Sequence, residues 1–526
     1  MSVGTAASQL VSRPARSAAA ERASSQLAAT WFAVAAITVL AAVLRFYRLG
    51  HQGFWFDEAN TALLVHFSPG KMLGLIPQTE STPPLYYCVA WVWARVFGYG
   101  ETALRSLSAL AGVAVVPVAY GAGRQLISIR AGLIAAALAA CSPLLIWYSQ
   151  EARSYELLVL LSGLSLLAFA YLLERPSARR AVAWVVASAL AMATHYYAIL
   201  LVVPAAAWLL IVHRRRRVVQ FAVGLVALCG LALIPLALSQ NGTGRANWIA
   251  HAPLGRRVKE IVPQFVFGFG SPAYGVLEPI AVGLAVFGLV LAITRAAPLE
   301  RRGALLAGGL ALAGLILNLV LVAAGIDDLL TRNVMAIWMP AALALAGGFA
   351  AARARVLGLG AAVALCALGV VASVGTAQDR NLQRPDWRVV ARALGVRPAG
   401  PAATGGGRLI LIQHYRDLLP LSLYLPQLKF LRGGHGARVS EFDVVSFTSP
   451  PSAGFCWWGS ACNLWPSRMQ SSYPVRGFTA LSRRTVNQFT VLRMVSTGGP
   501  VLVTPRAVAR ALRTTNFRND ELLIQR

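Results

Sequence analysis

Long apolar runs, each bounded by short arginine-bearing segments, recur from residue 27 to about residue 376 and then stop. Runs near the length of a spanning helix fall at 27–44, 104–122, 131–148, 155–173, 181–195, 197–212, 218–238, 276–294, 304–324, 334–351 and 356–375. The pattern predicts an α-helical polytopic membrane domain over 30–375 with about 11 transmembrane helices. The run at 84–97 is too short to cross. Pro83 and Pro84 suit the start of a helix there, which is expected to lie in or dip into the outer leaflet against the bundle. Beyond residue 376 the pattern becomes mixed: a helix at 385–394 and strands at 409–413, 442–447 and 489–494. Residues 376–526 therefore read as a separate mixed α/β domain. Residues 1–29, rich in Ser, Ala and Arg, read as a disordered cytoplasmic N-terminus.

The basic residues between runs set sidedness. Arg124 and Arg130, Arg175, Arg179 and Arg180, Arg214 to Arg217, Arg295, Arg301 and Arg302, and Arg353 and Arg355 should share the cytoplasm with the N-terminus. An odd number of crossings then puts the C-terminal domain, and the first loop at 48–103, outside. A composition of 57% hydrophobic residues, with mean hydropathy +0.60, excludes a soluble globular chain. The net charge of +28 comes almost wholly from arginine, with Lys71, Lys259 and Lys429 the only lysines. Its place in short loops assigns it to topology, and no nucleic-acid motif accompanies it. Cys88, Cys141, Cys229 and Cys366 lie in apolar runs and read as packing residues. Cys456 and Cys462 are close together in the tail, where an external location favours a disulfide.

Chemistry concentrates at residues 53–87, where Asp57 and Glu58 follow the aromatic run Phe54, Trp55, Phe56. An acidic pair at a membrane border is costly and points to function. The same outer face should receive the segment 149–156 with Gln150, Arg153 and Tyr155, the turn His195-Tyr196-Tyr197, the loop 239–275, and Asp327-Asp328 through Arg332. Arg256 and Arg257 in that loop suit anionic lipid heads, whereas Arg153 breaks the positive-inside pattern and suits a phosphate. Joining a sugar to a hydroxyl at a membrane needs a carboxylate base, cations on the leaving phosphate, and an apolar groove for a lipid-linked donor. Asp57 or Glu58 fits the first role, Arg153 and Arg332 the second, and the 84–97 helix the groove wall. One displacement from the face opposite the phosphate inverts the anomeric carbon. No metal is expected, because arginines neutralise the phosphate. A lipid or polysaccharide transporter or flippase is the rival reading. It calls for ionisable residues near the bilayer midplane and an internal repeat, and the chain carries neither.

The motifs FWFDEA, PPLYY, LRSLSALAG and SPLLIWYSQEARSYEL, in that order, resemble the family 39 glycosyltransferases. That group includes the protein O-mannosyltransferases and the lipid A aminoarabinose transferase, and the chain looks like its bacterial RgtA/B/C/D-like branch. The resemblance spans residues 30–345. It implies a GT-C fold in the cytoplasmic (inner) membrane, a polyprenyl-phosphate sugar donor, and a hydroxyl acceptor on protein, glycolipid or wall polymer. It assigns Asp57 as the catalytic acid residue of the DE pair, with Glu58 in support, and Arg153 and Arg332 as phosphate ligands. Thr82, Gln150, Tyr155, His195 and Tyr196 complete the expected donor-binding set. Thr82 stands where relatives carry His or Lys before Pro-Pro, and Asn333 where Tyr commonly follows the late Arg. Asp386-Trp387-Arg388 is the one loose match in the tail.

Overall fold

The computed structural model describes residues 13–396, 406–413, 418–431, 436–447, 469–512 and 521–525. The first helix, α1 (Arg13–Phe46), crosses with its apolar part, Ser24–Phe46. Residues 13–29 are thus helical, which corrects the expected disorder. The stretch is rich in alanine and arginine, both strong helix formers, and Pro14 falls in the first turn, where its missing N–H costs little. The loop that follows holds α2 (Phe56–Leu64), α3 (Pro69–Thr79) and α4 (Leu85–Phe97).

The bundle continues through α5 (Glu101–Leu126), α6 (Ile129–Cys141), α7 (Pro143–Ser149), α8 (Tyr155–Glu174), α9 (Ala178–Thr194), α10 (Ile199–His213) and α11 (Arg217–Ala232). It is completed by α12 (Ile234–Asn241), α13 (Leu254–Phe267), α14 (Tyr274–Thr294), α15 (Pro298–Ala323), α16 (Trp338–Phe349) and α17 (Arg355–Gln378). Helix occupies each of the predicted runs. Among the described residues eight helices are long and apolar enough to cross, or nine if α6 and α7, bent by 55° at their junction, form one span. The 17-residue α9 and the 12-residue α16 are shorter. At the α6–α7 break, Ser142 caps the new helix and Pro143 opens it. The break frees carbonyls of α6, and the fully buried Arg45 donates to two of them, Ala139 O at 2.9 Å and Ala140 O at 3.1 Å. Small residues let helices touch: a Cβ on Gly348 would lie 1.8 Å from the Gly288 carbonyl oxygen.

The arginine-rich loops gather at one end. There Gln125 donates to Glu174, His213 bonds Leu173 O, and Arg353 N donates to Arg295 O. The Asp57 loop and the C-terminal domain occupy the other end.

The C-terminal domain contains α18 (Trp387–Leu394), β1 (Gly407–Ile412), α19 (Leu418–Ser422), β2 (Leu428–Phe430), β3 (Ala437–Phe447), β4 (Phe478–Val486), β5 (Phe489–Ser496), β6 (Val501–Val503), α20 (Pro505–Ala511) and β7 (Glu521–Gln525). Among the described residues its sheet runs β2-β7-β1-β3-β5-β4, with β6 on β3. The β1–β3 pair is parallel and brings Leu409 opposite Phe442, while the other pairs are antiparallel. Helix α18 covers one face through Trp387, Val390 and Leu394, and α20 packs the other through Val508 and Ala511. Beneath the end of α18, Arg408 and Arg493 donate to Leu394 O and pair with the buried Glu441 and Asp443. Burial and the neighbouring Glu441 hold the Asp443 carboxyl well above its ordinary range. Cys456 and Cys462, expected to form a disulfide, lie outside the described residues.

Candidate active site

Helix α2 places Asp57 and Glu58 in its first turn, where unpaired N–H groups favour carboxylates. Neighbours on a helix point about 100° apart, so the two acids face different surroundings. Glu58 turns inward and is fully buried. It accepts from Arg105 Nε at 2.7 Å, Arg105 Nη2 at 2.6 Å and the Ala152 backbone N–H at 2.8 Å. Arg105 also donates to Leu49 O, Gln52 O and Gly53 O. Glu58 is therefore the anchor of the loop. Asp57 faces a polar cavity of about 110 Å³, with its side chain 21% exposed, and its Oδ2 accepts from Arg332 Nη1 at 2.9 Å.

Arg332 lies in the 3₁₀ turn Thr331–Ile337 that leads into α16. Its guanidinium sits between the Tyr155 ring at 5.8 Å and the Trp248 ring at 5.7 Å, an arrangement that suits a cation. The turn is steadied from two sides. Asn333 donates to Asp328 O at 2.7 Å, and Arg257 makes a two-pronged pair with Asp327 at 2.6 and 2.8 Å. Arg257 is buried in this role, not spread on lipid heads.

Arg153 reaches the cavity from the turn before α8. Its Nη1 lies 3.0 and 2.9 Å from the two Glu80 oxygens and 3.3 Å from Asp57 O, while its buried Nε has no hydrogen-bond partner among the described residues. Glu80 also accepts from Asn60 at 2.6 Å. Arg245 lines the same cavity, donates to Gln78 O at 2.8 Å, and makes no ion pair among the described residues. His195 is buried and its Nδ1 accepts from Tyr197 N. Behind the loop, burial pushes Glu151 up to about 7 against the opposing pull of Arg384, which pairs with it at 3.0 Å.

Of the residues expected at the site, Asp57, Thr82, Arg153, Tyr155, His195 and Arg332 line one cavity. Glu58, Gln150 and Tyr196 do not. Gln150 donates to the carbonyls of Arg45 and Tyr47 and so caps the end of α1. Tyr196 bonds Gln240 Oε1 at 2.8 Å and lines a neighbouring apolar groove. That groove, about 390 Å³, is walled by Leu233, Ile234, Leu238, Leu321 and Ile326. It shares Ser81, Tyr197, Ala246 and Asp328 with the polar cavity, so the two adjoin. Glu80 and Trp248 are cavity residues that the sequence did not single out, whereas Arg245 belongs to the basic loop 239–275 expected on this face. Among the described residues no group of three or more His, Cys, Asp or Glu is placed to hold a metal.

Residues 81–238, under a third of the chain, match the family described as dolichyl-phosphate-mannose-protein mannosyltransferase. The match takes in Arg153, Tyr155 and His195. The fold resembles two crystal structures of ArnT from Cupriavidus metallidurans. The one bound to undecaprenyl phosphate is 16% identical with TM-score 0.52, over 88% of this chain and 97% of that one. The apo state is 15% identical with TM-score 0.52, over 89% and 98%. No curated protein sequence matches the chain. The chain is thus a multi-pass membrane protein, similar over part of its length to a family of membrane mannosyltransferases and similar in fold to ArnT.

Proposed function

We propose that the chain moves a sugar from a polyprenyl-phosphate carrier to an acceptor hydroxyl, with inversion, and that Asp57 is the general base. The observation that carries this reading is a cation-lined polar cavity that adjoins an apolar groove and shares four wall residues with it. The cavity is suited to a phosphate and sugar, and the groove to the first isoprene units. The resemblance to an enzyme bound to undecaprenyl phosphate agrees with it. In the reaction the acceptor O–H gives its proton to Asp57 while its oxygen attacks the anomeric carbon. The bond from that carbon to the phosphate oxygen breaks, and polyprenyl phosphate leaves with the electron pair and one more negative charge. Arg332, bonded to Asp57 at 2.9 Å, is drawn to the donor phosphate, which frees the carboxylate to accept the proton. Arg153 is already matched by Glu80, so Arg245 is the stronger phosphate ligand. These guanidinium groups supply the charge a divalent cation would otherwise bring.

The test is sugar transfer from polyprenyl phosphate by purified protein in the presence of chelator; no transfer from any polyprenyl-phosphate sugar would defeat the reading. Arg245→Ala should raise the donor KM by about 10-fold or more, since a charge on phosphate acts in ground and transition states alike; an unchanged KM would remove Arg245 from the donor site. We place the N-terminus in the cytoplasm and the C-terminal domain outside the inner membrane, on the basis of the basic loops. Reporter fusions after Arg216 and after Gly406 should accordingly report opposite sides, and the same side for both would refute this orientation.

A further inference from the structure

We infer that the C-terminal domain is a positioning element for the catalytic loop, with Asp386 and Arg388 as its working residues. The inference rests on the reading of Asp57 as the base. Residues 49–54 run from the end of α1 into α2 without regular structure, so their conformation depends on what binds their backbone. Arg105 of the membrane domain takes the carbonyls of Leu49, Gln52 and Gly53. The C-terminal domain takes the groups that alternate with them. Arg388 Nη2 donates to Gly50 O at 3.2 Å and to His51 O at 2.6 Å. Asp386 Oδ1 accepts the Gly53 N–H at 3.0 Å, and the Tyr424 hydroxyl accepts the Phe54 N–H at 2.7 Å.

These partners are themselves held. Asp386 caps α18 through the Arg388 N–H. Glu101, the first residue of α5, accepts from the Tyr424 hydroxyl at 2.8 Å and pairs with Arg388 at 3.3 Å. The fit leaves no slack: a Cβ on Gly53 would lie 2.7 Å from both Arg388 Cβ and Asp386 Oδ1. The contacts fall on main-chain atoms, and Asp57 follows Gly53 by four positions. The domain therefore sets the path by which the chain delivers Asp57 to the cavity, and Leu419 and Leu423 of the same domain pack against the cluster that holds Phe54, Ala59 and Ala62. This gives the Asp386-Trp387-Arg388 motif a role: Trp387 is the buried anchor in the sheet domain, and the two flanking charged residues reach the loop.

The experiment compares Asp386→Ala, Asp386→Asn and Gly53→Ala in the full-length protein in detergent, with thermal unfolding measured alongside turnover. Misplacing a base by an ångström costs up to about 100-fold, so Asp386→Ala and Gly53→Ala should each lower kcat by about 10-fold or more with the donor KM unchanged. Asp386→Asn keeps an oxygen for the Gly53 N–H and should restore most of the rate. Because both lesions break the same contact, Gly53→Ala combined with Asp386→Ala should be no worse than either alone, whereas Asp386→Ala combined with Arg245→Ala should show independent effects. Normal kcat per folded molecule in Asp386→Ala and Gly53→Ala, or a loss confined to folded yield or to donor KM, would overturn the inference. Normal kcat there beside a dead Asp57→Asn would fault the positioning role alone. An active Asp57→Asn would instead fault the assignment of the base.

Discussion

Asp57→Asn should lower sugar transfer by about 10²–10⁴-fold, the range expected when a general base is removed, with the protein still inserted and folded. Asparagine keeps the size and one oxygen of the side chain but cannot take a proton. The local cost is limited, because asparagine keeps an oxygen for Arg332 Nη1, which Asp57 meets at 2.9 Å, and the Tyr155 and Trp248 rings still flank the guanidinium. The loss should appear in kcat, since proton removal belongs to the transition state. Donor affinity should hold or rise, because Arg332 no longer divides its charge between Asp57 and the phosphate. The check is turnover of polyprenyl-phosphate sugar normalised to folded enzyme, with donor binding measured separately. Turnover within a few-fold of the unaltered enzyme would take Asp57 out of the mechanism.

The second large effect is on folding. Glu58→Ala should destabilise the membrane domain by about 3–5 kcal/mol, the cost of leaving a buried partner charge uncompensated. Arg105 is 4% exposed at its side chain, Glu58 0%, and their closest approach is 2.6 Å. Glu58→Ala also strands the Ala152 N–H. Arg105→Ala should cost at least as much, because three loop carbonyls lose their donor as well. Replacing both together, Glu58→Leu with Arg105→Met, should cost less than either alanine variant plus its stranded charge. Thermal unfolding in detergent and the yield of inserted protein measure this. Near-normal stability in Glu58→Ala, with activity lost, would return Glu58 to a direct part in catalysis.

These two predictions separate neighbouring acids that the sequence treats alike. Asp57 and Glu58 share one motif, and from the residues either could be named base; the resemblance alone points to Asp57. Their angular separation on α2 puts one in the cavity and the other against Arg105. Gln150 stands beside Arg153 in SQEAR, and the sequence alone groups the two. Gln150 spends its amide on the open carbonyls at the end of α1, a need that belongs to a distant segment.

By itself the sequence determined the membrane domain, its helical runs, the gathering of basic loops at one end, and the position of Asp57, Arg153 and Arg332 at the other. These follow from one-dimensional quantities: apolar length against bilayer thickness, and charge against sidedness. It also marked the tail as a separate mixed domain and found three of its strands. Tertiary structure decided what depends on pairing between distant positions. It joined β1 to β3 in parallel and set β7 between β2 and β1. It matched Arg153 with Glu80, Arg257 with Asp327 and Arg384 with Glu151. It set Asp386 and Arg388 against the backbone of residues 50–53, more than three hundred positions away in the chain. A buried charge or main-chain N–H must find a partner wherever the fold supplies one, and the pattern of hydrophobic and polar positions carries no record of which partner that is.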